Sequence, residues 1–195
     1  ITLFEVGRSE HGPFLVFELL RGKTLDLKIE EGPLPVQEAV HIATEVARGL
    51  AHAHAEGVIH RDLKPANVFV TNKGQVKILD FGMAHAFGRR RLSGGTPAYM
   101  APEQWEDAPE DERTDVFALG VMLYRMLTGE YPFPEGQGRW SSEPATLRKL
   151  DVPGAPDLAE LVEKMLDRTP KARPRDGAAV LGALTPIEER LRVKP

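Results

Sequence analysis

His60-Arg61-Asp62-Leu63-Lys64-Pro65-Ala66-Asn67-Val68 puts a carboxylate, an ammonium group and a carboxamide into one short stretch. Asp62 and Asn67 are five positions apart, and a second carboxylate, Asp80, follows in Asp80-Phe81-Gly82. One carboxylate can take a proton from a hydroxyl. An amide oxygen and the other carboxylate can hold Mg²⁺, a hard cation that draws its remaining oxygen ligands from water and substrate phosphates. A lysine beside them can offset charge on a moving phosphoryl group. Phosphoryl transfer asks little covalent chemistry of a protein. It needs an in-line hydroxyl, a metal bridging phosphates, and positive charge where negative charge develops. The set fits that reaction.

These residues must be positioned by the elements around them. Val58-Ile59, Val68–Val70 and Val76–Leu79 are short apolar pieces that flank the polar stretches, and Asn72-Lys73-Gly74 marks a tight turn between the last two. Upstream, Ile1–Val6 and Phe14–Leu20 read as two strands of a hairpin, separated by the polar turn Gly7–Pro13. Two strands rarely stand alone in water, so they call for a partner surface or further strands. Between hairpin and loop, Val36, Ala39, Val40, Ala43, Val46, Ala47 and Leu50 recur at helical spacing across Pro35–Glu56, with Gly57 where a C-terminal cap belongs.

Downstream, Asp115–Leu127 is apolar on nearly every side, which predicts a buried central helix with Asp115 capping its start and Gly129 its end. Pro132 to Pro156 reads as an extended connection. Leu158–Leu166 and Ala178–Leu184 read as two more helices, capped by Asp157 and Asp176. The charged tail Ile187–Pro195 carries little signal, and no internal repeat appears.

Composition bounds the options. The 195 residues suffice for one compact domain, or at most one and a half. Hydrophobic residues make up 42%, enough to fold. Lys and Arg number 25 against 29 Asp and Glu, and the net charge of −4 argues against a general nucleic-acid or membrane-surface binder. With no cysteine, disulfides, thiolate catalysis and zinc-thiolate sites are excluded, which fits a reducing compartment. The longest apolar run, Val116–Leu127, is too short to span a bilayer and is interrupted by Arg125. No signal peptide opens the chain. It begins at Ile1 rather than Met, inside an expected strand, which implies a piece of something longer.

The order of the motifs narrows the reading further. His60–Val68 resembles the catalytic loop of the eukaryotic-type (Hanks-type) Ser/Thr protein kinases. Asp80-Phe81-Gly82 resembles the metal-binding motif that opens their activation segment, and Ala101-Pro102-Glu103 the motif that closes it. Gly95–Gln104 has the flavour of the bacterial branch. The resemblance covers roughly residues 1 to 184. It implies an α+β fold, a mainly helical kinase C-lobe with a short β-hairpin remnant of the N-lobe. Residues 1–20 would be the last two N-lobe strands and hinge entry. Residues 21–185 would be the C-lobe, with the catalytic loop at 60–68 and the activation segment at 80–103, and 186–195 a tail.

Roles follow residue by residue as implications of that resemblance. Asp62 resembles the catalytic base, and Lys64 the lysine on the γ-phosphate and acceptor hydroxyl. Asn67 and Asp80 resemble the Mg²⁺ ligands. Thr96 resembles the threonine that supports Asp62 and Lys64 and shapes the acceptor pocket. Lysine at 64 points to Ser/Thr rather than Tyr acceptors. Arg61 resembles the arginine that binds a phosphorylated activation segment, and Ser93 is the candidate phosphosite. Glu103 and Arg173 resemble a buried ion pair, and Asp115 the helix-cap carboxylate tying the loop to the core. Phe17 would be the gatekeeper. Glu18 to Leu20 would offer backbone groups to adenine, with Phe69 beneath the base. Leu3, His60 and Phe81 would stack as a column between lobes. ATP, Mg²⁺ and a protein substrate with a Ser or Thr hydroxyl are the implied ligands. A cytoplasmic kinase domain is implied, whatever other domains or anchor the longer protein carries.

The family's glycine-rich loop, its strand lysine and the glutamate that pairs with that lysine are not among these residues. Gly136-Gln137-Gly138 begins like such a loop, but position 141 is Ser. Gly22-Lys23-Thr24 ends like a P-loop, but position 17 is Phe. The chain alone is therefore expected to be inactive or weakly active. The alternative is a pseudokinase-like binding or regulatory module. A small-molecule phosphotransferase is disfavoured, because that group lacks the Ala-Pro-Glu motif.

Plainer readings stand beside these. Asp62, Asn67 and Asp80 could be turn and cap residues. His52, His54 and His60 are better read as helix surface plus one packed core His60 than as a metal site. Arg89-Arg90-Arg91 reads as solvated charge rather than a nucleic-acid patch, Ser93 as an ordinary polar loop residue, and Trp105 and Trp140 as packing. The apolar face of the N-terminal hairpin is expected to be sticky and to allow self-association.

Overall fold

The computed structural model describes residues 1–81, 97–133 and 155–192. It is α+β, with small antiparallel sheets and a mainly helical body. Strands β1 (Leu3–Ser9) and β2 (Gly12–Phe17) form the expected hairpin, but its turn is tighter than the sequence implies. Ser9 pairs with Gly12, leaving Glu10 and His11 at the tip. Arg8 and Ser9 can extend the strand because this ribbon is solvated, so their polarity costs nothing there. Glu18–Leu20, expected as strand, lies past the end of β2.

A second sheet follows in the order β3 (Gly22–Thr24), β4 (Val68–Thr71), β5 (Val76–Ile78), with both pairs antiparallel. The P-loop lookalike Gly22-Lys23-Thr24 is thus a strand. Between β4 and β5, Gly74 turns at φ 78° and donates its N–H to Thr71 O at 2.9 Å. Helix α1 (Leu25–Glu30) was not foreseen. Its signal is the pair Leu25 and Ile29, one helical turn apart and both buried.

Helix α2 (Val36–Ala55) matches the periodic run, with Gly57 just past its end at φ 71°. A short helix α3 (Pro102–Trp105) precedes α4 (Glu112–Thr128), the buried central helix. Val116, Phe117, Leu119, Val121, Met122, Leu123 and Met126 of α4 are all fully buried. Gly129 closes α4 in the left-handed conformation at φ 76°, a shape open to glycine at no steric cost. The start differs from the expectation. Asp111, not Asp115, is the N-cap and accepts the Arg113 N–H at 2.9 Å. Asp115 sits inside the helix and is free for another task.

Helix α5 (Ala155–Met165) contains Asp157 rather than being capped by it, and the Asp157 carboxylate pairs with Arg190. Asp176 does cap the last helix, accepting the Ala179 N–H at 2.8 Å. That helix, α6 (Gly177–Arg192), does not stop at Leu184. It continues through Pro186, and Ile187 and Leu191 join the core, so the boundary placed at residue 185 falls within one helix. Charge along Ile187–Arg192 masks an apolar stripe at helical spacing. Most of the connection expected over Pro132–Pro156 lies outside the described residues, as does Trp140. Trp105, expected as packing, is 40% exposed. No helix among the described residues is long and apolar enough to cross a membrane.

Where α6 starts, it touches α2 backbone to backbone. A Cβ at Gly177 would lie 2.5 Å from Ala51 N and 2.8 Å from Leu50 C. Backbone cannot yield as a side chain tip can. Gly177→Ala should therefore lower stability by about 1–3 kcal/mol, read as a fall in the urea midpoint at unchanged m-value. A midpoint equal to wild type would show that the two helices are not locked at this point.

Candidate functional site

The stretch 60–68 hangs from one carboxylate. Asp115, 1% exposed, accepts the His60 N–H on Oδ2 and the Arg61 N–H on Oδ1, each at 2.8 Å. Its Oδ2 also takes a bond at 2.9 Å from His54 Nε2. Three N–H donors meet the buried charge, as burial of a carboxylate requires. They also hold Arg61 at φ 67°. A non-glycine residue in that region costs of order 1–3 kcal/mol unless its surroundings over-determine it.

The chain then turns through Asp62. The Asp62 N–H donates to His60 Nδ1 at 3.3 Å, so the His60 ring proton sits on Nε2 and donates to Leu79 O at 2.9 Å. This ties the loop to the end of β5. Lys64 Nζ lies 2.7 Å from Asp62 Oδ2. The 3₁₀ turn Pro65–Asn67 returns Asn67 beneath Asp62, where Nδ2 donates to Asp62 O at 2.9 Å and reaches Asp62 Oδ2 at 3.5 Å. With its nitrogen so engaged, the amide turns its oxygen elsewhere. Leu79 N donates to Asn67 O at 2.8 Å, and Asp80, exposed and at φ 58°, follows directly.

An amide oxygen and a carboxylate are hard donors that suit Mg²⁺, and few protein ligands suffice when phosphates and water supply the others. Among the described residues there is no cluster of three or more His, Cys, Asp or Glu that could hold a metal by itself.

His60 and Phe81 pack ring to ring, with centroids 4.8 Å apart and planes tilted by 58°, while Leu3, their expected column partner, is 47% exposed on β1. Phe69 sits in β4, opposite Thr24 and Lys77. Phe17 ends β2 and is partly exposed. The Glu18 N–H, expected to be open to a ligand, is spent on Thr2 O at 3.0 Å. The Glu18 side chain accepts from Thr2 N and Lys77 Nζ, and these two hold its carboxyl below the usual range. Leu20 lies between β2 and β3. Gly82, Ser93, Thr96 and Arg89–Arg91 lie outside the described residues.

Arg61 was expected to await a phosphate. Its Nε lies 3.8 Å from Glu110 Oε2. Gln104 fixes that acid. Its Oε1 accepts the Ala101 N–H at 3.0 Å, so Nε2 must face the other way, donating to Arg61 O at 2.9 Å and to Glu110 Oε2 at 3.2 Å. Neither Gln104 nor Glu110 carried a signal in the sequence. His54 was misread as helix surface: His52 is exposed, but His54 is as buried as the core. Asp62, Lys64, Tyr99, Met100 and Gln104 line a small cleft. In its wall, burial pushes the Tyr99 hydroxyl well above its usual range, so it stays protonated and accepts from Arg125 Nη1 at 2.6 Å. A separate cavity of about 420 Å³ is lined by Gln37, His41, Ile42, Val70 and Leu191, and none of the loop residues reaches it.

Glu103 and Arg173 form the expected ion pair, bidentate at 2.8 and 2.9 Å. Arg173 is 0% exposed in its side chain, yet every donor is used: Asp167 O, Arg113 O and Arg168 O take what Glu103 does not. Its guanidinium also lies 4.8 Å from the centre of the Phe117 ring. Arg173→Met should cost about 3–5 kcal/mol because it strands a buried carboxylate, whereas the double change Glu103→Leu/Arg173→Met should cost less. Chemical denaturation of both variants checks this. A double variant weaker than the single one would contradict it.

The protein kinase domain family matches residues 1–181 of the chain. The chain is 38% identical over 205 residues to serine/threonine-protein kinase PknL of Mycobacterium tuberculosis, covering 98% of this chain and 51% of that protein. It is 33% identical over 215 residues to serine/threonine-protein kinase pkn3 of Myxococcus xanthus, covering 98% of this chain and 39% of that protein. To serine/threonine-protein kinase PknB of Mycobacterium leprae it is 37% identical over 144 residues, covering 68% of this chain and 23% of that protein. The chain thus spans about half the length, or less, of these relatives. By the extent of the match and the order of its motifs, the chain belongs to the protein kinase family, among the Hanks-type serine/threonine kinases of bacterial type.

Proposed function

We propose that this chain is the catalytic lobe of an ATP- and Mg²⁺-dependent kinase that phosphorylates Ser or Thr hydroxyls of proteins. The observation that supports this most is the triad Asp62, Lys64 and Asn67, drawn together at 2.7 and 2.9 Å on a loop hung from a buried carboxylate. Asp62 orients the acceptor hydroxyl and receives its proton. Lys64 shields Asp62 before transfer and moves its charge toward the phosphoryl group during it. Asn67 and Asp80 would hold Mg²⁺, which would supply positive charge against that of the phosphates. The acceptor hydroxyl would approach Asp62 from its exposed side, with Thr96 in the supporting role the family resemblance implies. Glu18, Leu20 and Phe69 would border the adenine.

Regulation belongs to the same reading. A phosphate on Ser93, if bound by Arg61 as the resemblance implies, would compete with Glu110, whose carboxylate already lies beside the guanidinium. Protein substrate and ATP are the proposed partners, in a cytoplasmic setting. The hairpin carries Phe4 and Val6 more than 60% exposed, at 68% and 67%, and is a candidate for self-association.

In the full-length gene product, Asp62→Asn should lower kcat by roughly 10²–10⁴-fold, the usual weight of a positioned acid or base, with the fold intact by circular dichroism. Turnover near wild type would remove Asp62 from its role. A module that binds a partner without catalysis would instead give a wild-type protein with no transfer above the Asp62→Asn background. The 195-residue chain by itself, assayed with radiolabelled ATP, should transfer far more slowly than the full-length product, because it carries none of the family's glycine-rich loop or strand lysine. Equal rates would overturn that.

A further inference from the structure

Gln104, on α3 and 7% exposed, spends its whole amide on three partners. The Ala101 N–H can only donate, so the atom facing it at 3.0 Å is Oε1, and Nε2 turns to two acceptors. One is Arg61 O at 2.9 Å, the other Glu110 Oε2 at 3.2 Å. Both bear on the same residue. Gln104 grips the Arg61 carbonyl directly, and it aims the Glu110 carboxylate that lies 3.8 Å from the Arg61 Nε.

Arg61 O and Asp62 N belong to one planar peptide unit. Its N–H edge donates to His60 Nδ1 at 3.3 Å, a long bond, and its C=O edge is held by Gln104. Asp115 reaches only the two units before it, through the His60 and Arg61 N–H groups. Bonded at both edges, the unit cannot rock, and the direction in which Asp62 projects follows from it. We infer that Gln104 is a positioning residue for Asp62, fixing the peptide unit that carries it and tying that unit to Ala101 at the close of the segment 80–103. The kinetic consequence rests on the kinase reading above; the hold on the peptide unit does not. A glutamine that only capped the start of α3 would need its oxygen alone. Here the oxygen serves the cap, while both N–H groups serve Arg61 and Glu110. A glutamate would cap as well, but its carboxylate cannot donate.

That difference supplies the test, made in the full-length gene product with Gln104→Glu and Gln104→Leu. Glutamate keeps an acceptor for the Ala101 N–H and loses both donors; leucine loses all three bonds. Both variants should lower kcat by roughly 10- to 100-fold, the scale of a small misplacement of a reacting group. KM for ATP should stay within about threefold, because the nucleotide does not depend on this peptide unit. Hydrogen exchange should be faster at the Asp62 amide in both variants and at the Ala101 amide in Gln104→Leu only. The His60 and Arg61 amides, held by Asp115, should exchange in Gln104→Glu as in wild type. Should leucine loosen the fold as a whole, Gln104→Glu decides. A Gln104→Glu variant with kcat within about twofold of wild type, or with unaltered exchange at Asp62, would overturn the inference. If the wild-type protein transfers no phosphate, faster Asp62 exchange in Gln104→Glu keeps the hold on the peptide unit and discards the kinase reading.

Discussion

A carboxylate inside a helix, away from water, is tolerated only if donors come to it, and Asp115 is met by three. Two of those donors are successive backbone N–H groups of a loop that would otherwise be free to wander. The cost of burying the charge is thus turned into a constraint on the loop, for if either N–H leaves, the charge is stranded. The left-handed backbone at Arg61 is sustained in the same way. Everything chemical in this protein depends on that anchor. Asp62 follows the anchored pair directly, and Asn67 is held to Asp62 in turn.

A second constraint works from the other end. Glu103, at the close of the segment 80–103, is clamped by Arg173 and by the Thr114 hydroxyl, which donates to Glu103 Oε1 at 3.0 Å. Thr114 adjoins Asp115, so one turn of α4 holds both the loop and the far end of the segment. Gln104 adds a third tie, between Ala101, the Arg61 carbonyl and Glu110. The site is built from groups on α4, α3 and the loop, locked by charge that cannot leave without a partner.

Much of this was legible in the sequence. The apolar run 116–127 announced a central helix. The run His60–Val68 announced a carboxylate, an ammonium group and a carboxamide within one turn, and Asp62, Lys64 and Asn67 do meet there. What escaped was what depends on long-range partners. By spacing alone Asp115 looked like a helix cap, because caps are local; its tie to the loop came only from the family resemblance, and its bond to His54 escaped altogether. His54 looked like helix surface because its neighbour His52 is, and a spacing of two gives no hint that one ring meets Gly177. The end of α6 hid behind Pro186 and a run of charges. Its apolar contacts through Ile187 and Leu191 outweigh the one backbone bond that proline removes.

The sequence separations of these ties carry a consequence for how the protein reaches its working shape. The His54–Gly177 bond joins residues 123 apart, Glu103–Arg173 residues 70 apart, and Asp115–His60 residues 55 apart. Contacts of such separation repay their loop-closure entropy only once most of the chain is already ordered. Helices α2 and α4 can form and meet early from local apolar contacts, but the loop's geometry must wait for α6 to arrive. During synthesis from the N-terminus, loop 60–68 leaves the ribosome long before Arg173 and Gly177 do. The chemistry-bearing residues are therefore assembled last, and a nascent chain stopped before α6 would present them unset.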